Sequence, residues 1–132
     1  MILKKDSTKF DLSVRDSNST MGLREGDHWC IFDISISNQN FHLDISKEIL
    51  SKNELADLLQ ELRDFLDGND ILKKRVSFIK NYFLIYLETG RKGVKRMKVK
   101  LVHIGDRHTN YVLLFDHDEI LEVMRLLGCV FE

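Results

Sequence analysis

The chain has 132 residues, 20 basic against 21 acidic, with two cysteines and no proline. That length suits one domain, residues 1–132, whose core needs neither metal nor disulfide staples, and the cancelled charge excludes a global field toward nucleic acid or an anionic membrane. No apolar run is long enough to span a bilayer and "MILKKDSTKF" is no secretory signal, so a soluble cytoplasmic protein is expected.

In chain order, "FDLSV" turns Phe10, Leu12 and Val14 to one side. "WCIFDISIS" puts Cys30, Phe32, Ile34 and Ile36 on one face and Asp33, Ser35 and Ser37 on the other, the pattern of a half-buried strand. After the polar break "SNQN", "FHLDI" sends Phe41, Leu43 and Ile45 inward and His42 and Asp44 outward, which predicts a hairpin. A turn symmetric about Asn38 and Gln39 would set Asp33 opposite Asp44 and Ser35 opposite His42.

"SKNELADLLQELRDFLDG" carries the strongest helix signal. Ser51 and Glu54 form a capping box, Gly68 supplies a left-handed stop, and Leu55, Leu58, Leu59, Leu62, Phe65 and Leu66 make one apolar stripe. Glu54, Asp57, Glu61 and Asp64 form a second stripe, centred roughly 120° around the helix from the first. Most of these acids should face away from the core.

Beyond the helix, "RVSFI" and "NYFLIYLE" read as strands, the second apolar enough to be central in its sheet. "TGRKG" is a turn, and "RMKVKLV" sets Met97, Val99 and Leu101 against Arg96, Lys98 and Lys100. "YVLLF" is a further strand. Asp116 and Glu119 then cap a last helix that buries Ile120, Leu121, Val123, Met124 and Leu127 and ends at Gly128. The expected class is α+β, order βββαββββα: a curved, mostly antiparallel sheet of six to seven strands with two helices against it.

Candidate chemistry is sparse. His103, Asp106 and His108, with Asp116, His117 and Asp118, are metal-ligand types, but they match no ligand spacing. The "YVLLF" strand also holds the two groups about 17 Å apart. No catalytic, metal or cofactor site is therefore expected. Cys30 and Cys129 sit in apolar surroundings and read as buried free thiols. The facing carboxylates Asp33 and Asp44 would need solvent, a cation or a basic partner to relieve their repulsion. The basic run Arg91–Lys100 can grip phosphates, yet it lacks the interleaved aromatics of a nucleic-acid reader, so a solubilising strand is favoured.

The element order and several phrases resemble the WapI-type immunity proteins, the small inhibitors that protect bacteria from their own polymorphic toxins. The resemblance runs from about Trp29 to Leu127. It rests on "FDISISNQNF", the helix "SKNELADLLQELRDFLDG", "NYFLIYLETG" and "LLFDHDEILEVMRLL". It implies a non-catalytic protein that binds and blocks a cognate toxin domain. If the toxin is a nuclease, its substrate groove is basic, and an acidic surface can enter it. The expected contacts are Glu54, Asp57, Glu61 and Asp64, with Asp33 and Asp44 second. A nucleic-acid or regulatory module using residues 91–100 remains the alternative, and a small metal-dependent enzyme a more distant one.

Overall fold

The computed structural model of the protein describes residues 1–5, 7–68, 73–102 and 111–132. The strands are β1 (Ile2–Lys5), β2 (Thr8–Asp16), β3 (Trp29–Ser37), β4 (His42–Ser51), β5 (Lys73–Val76), β6 (Phe83–Thr89), β7 (Lys95–Leu101) and β8 (Tyr111–Phe115). The helices are α1 (Lys52–Asp67), between β4 and β5, and α2 (His117–Gly128), after β8. The α+β class and the two helices agree with the sequence, but the single curved sheet does not. Among the described residues eight strands form two antiparallel sheets, β1-β2-β3-β4 and β5-β6-β7-β8. The sheet divides because β4 runs straight into α1, and the returning chain begins a new edge strand. The additional strand, β1, is short and half charged, so its sequence gives little periodic signal. It is held by pairing with β2, and the terminal ammonium donates to the Leu12 carbonyl at 2.8 Å.

The hairpin of β3 and β4 forms, with a shifted register. Asp33 faces Ser46, Ser35 faces Asp44 and Ser37 faces His42, so Asp33 and Asp44 are not opposite each other. The cause is an Asx turn. The Asn38 side-chain oxygen accepts the N–H groups of Asn40 and Phe41, which lengthens the connection by two residues and removes Phe41 from the strand. Phe41 is consequently exposed, stacking on Tyr111 at 5.8 Å between ring centroids. Further along, Cys30 pairs with Leu50 but Ile31 pairs with Glu48. Ile49 is therefore an extra residue in a β-bulge, and Ile49 and Leu50 are both fully buried.

The bulge leads directly into α1. Ser51 accepts the Glu54 N–H at 3.1 Å while the Glu54 carboxylate accepts the Ser51 N–H at 3.0 Å, completing the predicted capping box. A second cap comes from the buried Asp27, whose carboxylate accepts the Asn53 N–H. Leu55, Leu58, Leu59, Leu62 and Phe65 are buried, each such side chain stabilising the fold by about 1.5–3 kcal/mol. Gly68 ends the helix in an extended conformation, φ −77°, and not in the expected left-handed one. Its lack of a side chain has another reason: a Cβ there would lie 3.1 Å from the Asp64 carbonyl oxygen, to which Gly68 also donates its N–H.

Buried side chains of both sheets and both helices form one apolar cluster. Phe32 meets Phe83 edge-on at 5.2 Å, joining the sheets, and α2 packs against β2 of one and β7 and β8 of the other. β6 is an inner strand, as its apolar run predicts. Asp116 and Glu119 form the capping box of α2, but Leu121 lies outside its buried side, 46% exposed. The cysteines also part company. Burial pushes the Cys30 thiol up to about 11, whereas Cys129 is exposed because the chain leaves α2 in a 3-10 turn, Cys129–Phe131, that directs Val130 inward in its place.

Candidate partner-binding surfaces

Three polar surfaces stand out, the first being the acidic stripe of α1. Its four members do not have equal freedom. Glu54 is committed to the cap, and its second oxygen accepts the Ile79 N–H at 2.8 Å. Glu61 binds the Lys74 ammonium with both oxygens at 2.7 Å, tying α1 to β5, so it is not the unattached acid its helical position suggests. Asp64 is exposed and accepts from the Gln60 amide one turn earlier. Asp57 is exposed and has no partner among the described residues.

The second surface is the outer face of the first sheet. Register alone builds it. Asp11, Ser35 and Asp44 form one line across β2, β3 and β4, and Ser13, Asp33 and Ser46 form the next. Together they line a shallow depression of about 340 Å³. The Ser46 hydroxyl donates to Asp33 at 2.6 Å and Arg15 bonds it from the other side at 3.0 Å, and these contacts, the serine's being the larger, hold the Asp33 carboxyl below its ordinary range. Asp44 is lowered by the Ser35 hydroxyl and then by His42. The predicted carboxylate pair is thus replaced by three aspartates separated by serines. Asp11 and Ser13 escaped the sequence reading, although the alternation of "FDLSV" already turned them outward.

The third surface is the outer face of the second sheet. The basic run divides here by strand parity. Arg96, Lys98 and Lys100 point outward, while Lys95 is buried, donating to the Thr89 hydroxyl at 2.9 Å with its ammonium 4.9 Å from the centre of the Phe65 ring. Neighbouring strands add Arg75 and Tyr86, and the Lys98 ammonium lies 4.7 Å over the Tyr86 ring. The aromatic absent from the run itself is therefore supplied by β6.

Asp116 carries the α2 cap, its oxygen accepting the Glu119 N–H at 2.9 Å, and His117 pairs with Asp118 at 3.7 Å. His103, Asp106 and His108 lie outside the described residues. No group of three potential metal ligands occurs among the described residues. No helix among them is long and apolar enough to cross a membrane.

The model of the Immunity protein WapI-like family matches residues 1–129, from the N-terminal strand through α2. The chain belongs to that family. No curated protein matches it. The WapI-like match extends the resemblance, first carried by phrases between Trp29 and Leu127, over the first two strands as well. The matched residues include the Asp/Ser face, the acidic helix and the basic face, none of which the family description assigns to a partner.

Proposed function

We propose that this WapI-like protein neutralises a cognate bacterial toxin domain by binding it and covering its working groove, without catalysis. Family membership is the observation that carries the reading. Its physical support is a body of two sheets and two helices around one apolar core, with charge segregated into distinct surfaces. An acidic surface fits a toxin whose groove is basic, as that of an enzyme acting on nucleic acid is. The contacts proposed are Asp57 and Asp64 on α1, flanked by Glu54 and Glu61, with the Asp33 and Asp44 face as the second surface. Asp57 and Asp64 are exposed and stand outside the cap and the link to β5. Their replacement should therefore leave the fold intact.

The test is co-purification with the toxin domain encoded beside the gene, followed by association kinetics of the Asp57→Lys, Asp64→Lys double variant. Association should slow by about tenfold at low salt, with a flatter dependence on ionic strength. Unchanged rates and unchanged salt dependence would reject the helix as the contact surface.

A further inference from the structure

The outer face of the second sheet has no part in that reading, yet it has the makings of a recognition groove. Arg75, Tyr86, Lys98 and Leu114 lie in one line across all four strands, and Lys73, Glu88 and Arg96 lie in the line beside it. Residues of both lines border a groove of about 610 Å³, which Asp116 and Glu119 also line, each with a carboxylate oxygen engaged in the α2 cap. Lys73, Arg75 and Arg96 make no ion pair among the described residues. Apolar side chains accompany these cations: Leu114 is 58% and Val112 53% exposed, on the strand next to Lys98 and Lys100. A sheet face that leaves cations unpaired and two large aliphatic side chains in water resembles a surface awaiting a partner more than a solvated one.

The same geometry selects the partner's chemistry. A nucleic acid would stack its bases on the aromatic ring, but the Lys98 ammonium already covers a face of Tyr86. Glu88, between Lys73 and Arg96, would also repel a phosphate chain. A polypeptide tolerates both better, because its carboxylates are discrete and can be spaced to meet individual guanidinium groups in paired hydrogen bonds, away from Glu88, Asp116 and Glu119, and an aliphatic side chain needs no open ring face to stack on. We propose that this groove binds an extended acidic segment of a partner protein, with carboxylates on Arg75 and Arg96 and apolar side chains on Tyr86 and Leu114. Four strands at about 4.8 Å spacing make the line roughly 14 Å wide, a distance that about five extended residues span.

The probe is a short fluorescein-labelled peptide in which glutamate pairs alternate with leucine pairs, so that each face of the extended chain carries both, titrated with the full chain and followed by fluorescence anisotropy. A lysine–leucine peptide of the same paired pattern and labelled oligothymidylate run beside it. The acidic peptide should bind, more weakly as salt rises, and the lysine–leucine peptide should not. Arg75→Glu with Arg96→Glu should weaken binding by about tenfold or more, and the milder pair Arg75→Gln with Arg96→Gln should fall between. Circular dichroism checks that each variant is folded. Tighter binding of oligothymidylate than of the acidic peptide would overturn the proposal in favour of a nucleic-acid surface. Binding undiminished in both variants would also overturn it. So would peptide binding that is absent while the chain self-associates through a contact the variants abolish, since the occupant would then be a second copy. The probe contains no toxin, so a negative result leaves the neutralising role standing.

Discussion

On the outer face of the first sheet, the aspartates of the central rows are bonded to their neighbours: Arg15 and Ser46 hold Asp33, and Ser35 and His42 hold Asp44. On the outer face of the second, Lys73, Arg75 and Arg96 have no such partners among the described residues. The first face is internally satisfied only over β3 and β4, since toward β1 it leaves Lys4 and Lys9 without an ion pair among the described residues and Ile2 61% exposed. The second keeps unpaired charge on its inner strand β7, with exposed aliphatic side chains on β8 beside it. The chain's net charge of −1 conceals both, because it sums surfaces that never meet. Composition therefore excludes a global field while saying nothing of local ones.

The contrast can be attacked at its root, where the two sheets meet. Phe83→Ala and Phe32→Ala should each cost about 3–5 kcal/mol in urea unfolding. The double variant should fall short of the sum by about 0.5–1.5 kcal/mol, since the rings touch. Strict additivity would mean that the sheets do not depend on each other at this contact. A smaller effect separates the two helix caps. Ser51→Ala, in the buried cap that follows the first sheet, should cost about 1–2 kcal/mol, and Asp116→Ala, in the exposed cap that follows the second, about 0.5–1 kcal/mol. Equal losses would remove the difference in shelter between the ends.

The smallest effect addresses the two faces themselves. Asp33→Asn should cost about 0.5 kcal/mol at neutral pH, the partly exposed Arg15 contact being screened by solvent, whereas Arg96→Ala should stay within about 0.5 kcal/mol of zero. Asp33 titrates lower in the folded chain than in the unfolded one, so its contribution is present above the unfolded carboxyl value and is lost as pH falls. Unfolding curves recorded below about pH 4 should accordingly be flatter against pH in Asp33→Asn than in the parent. A parallel acid limb in both would show that Asp33 is not held by its neighbours.

Much of the fold could be read from the chain because local rules decide it. The capping pairs Ser51/Glu54 and Asp116/Glu119 act within a single turn, and the stripe from Leu55 to Phe65 requires only the helical repeat. Long-range pairing was less legible. The facing of Asp33 by Ser46 depends on how Asn38 folds its own turn, and the division into two sheets depends on where the chain restarts after α1. The candidate surfaces followed the same division. Asp57 and Asp64 could be placed outward from helical phase, but the link of Glu61 to Lys74 joins residues on different elements. The Arg75, Tyr86, Lys98 and Leu114 line needs three strand registers at once, so no stretch of the sequence contains it.

Ile49 stands apart in the register of β4. Were it an ordinary rung of the ladder it would pair with Cys30, and Leu50 and Ser51 would each arrive one place later, on the opposite side of the sheet. Since α1 starts at the next residue, the bulge acts as a phase setter for the helix that follows. The direction in which Asp57 and Asp64 point depends on one bulged backbone unit in the preceding strand, and drawing Ile49 into the regular ladder would turn the acidic stripe without altering a single one of its residues.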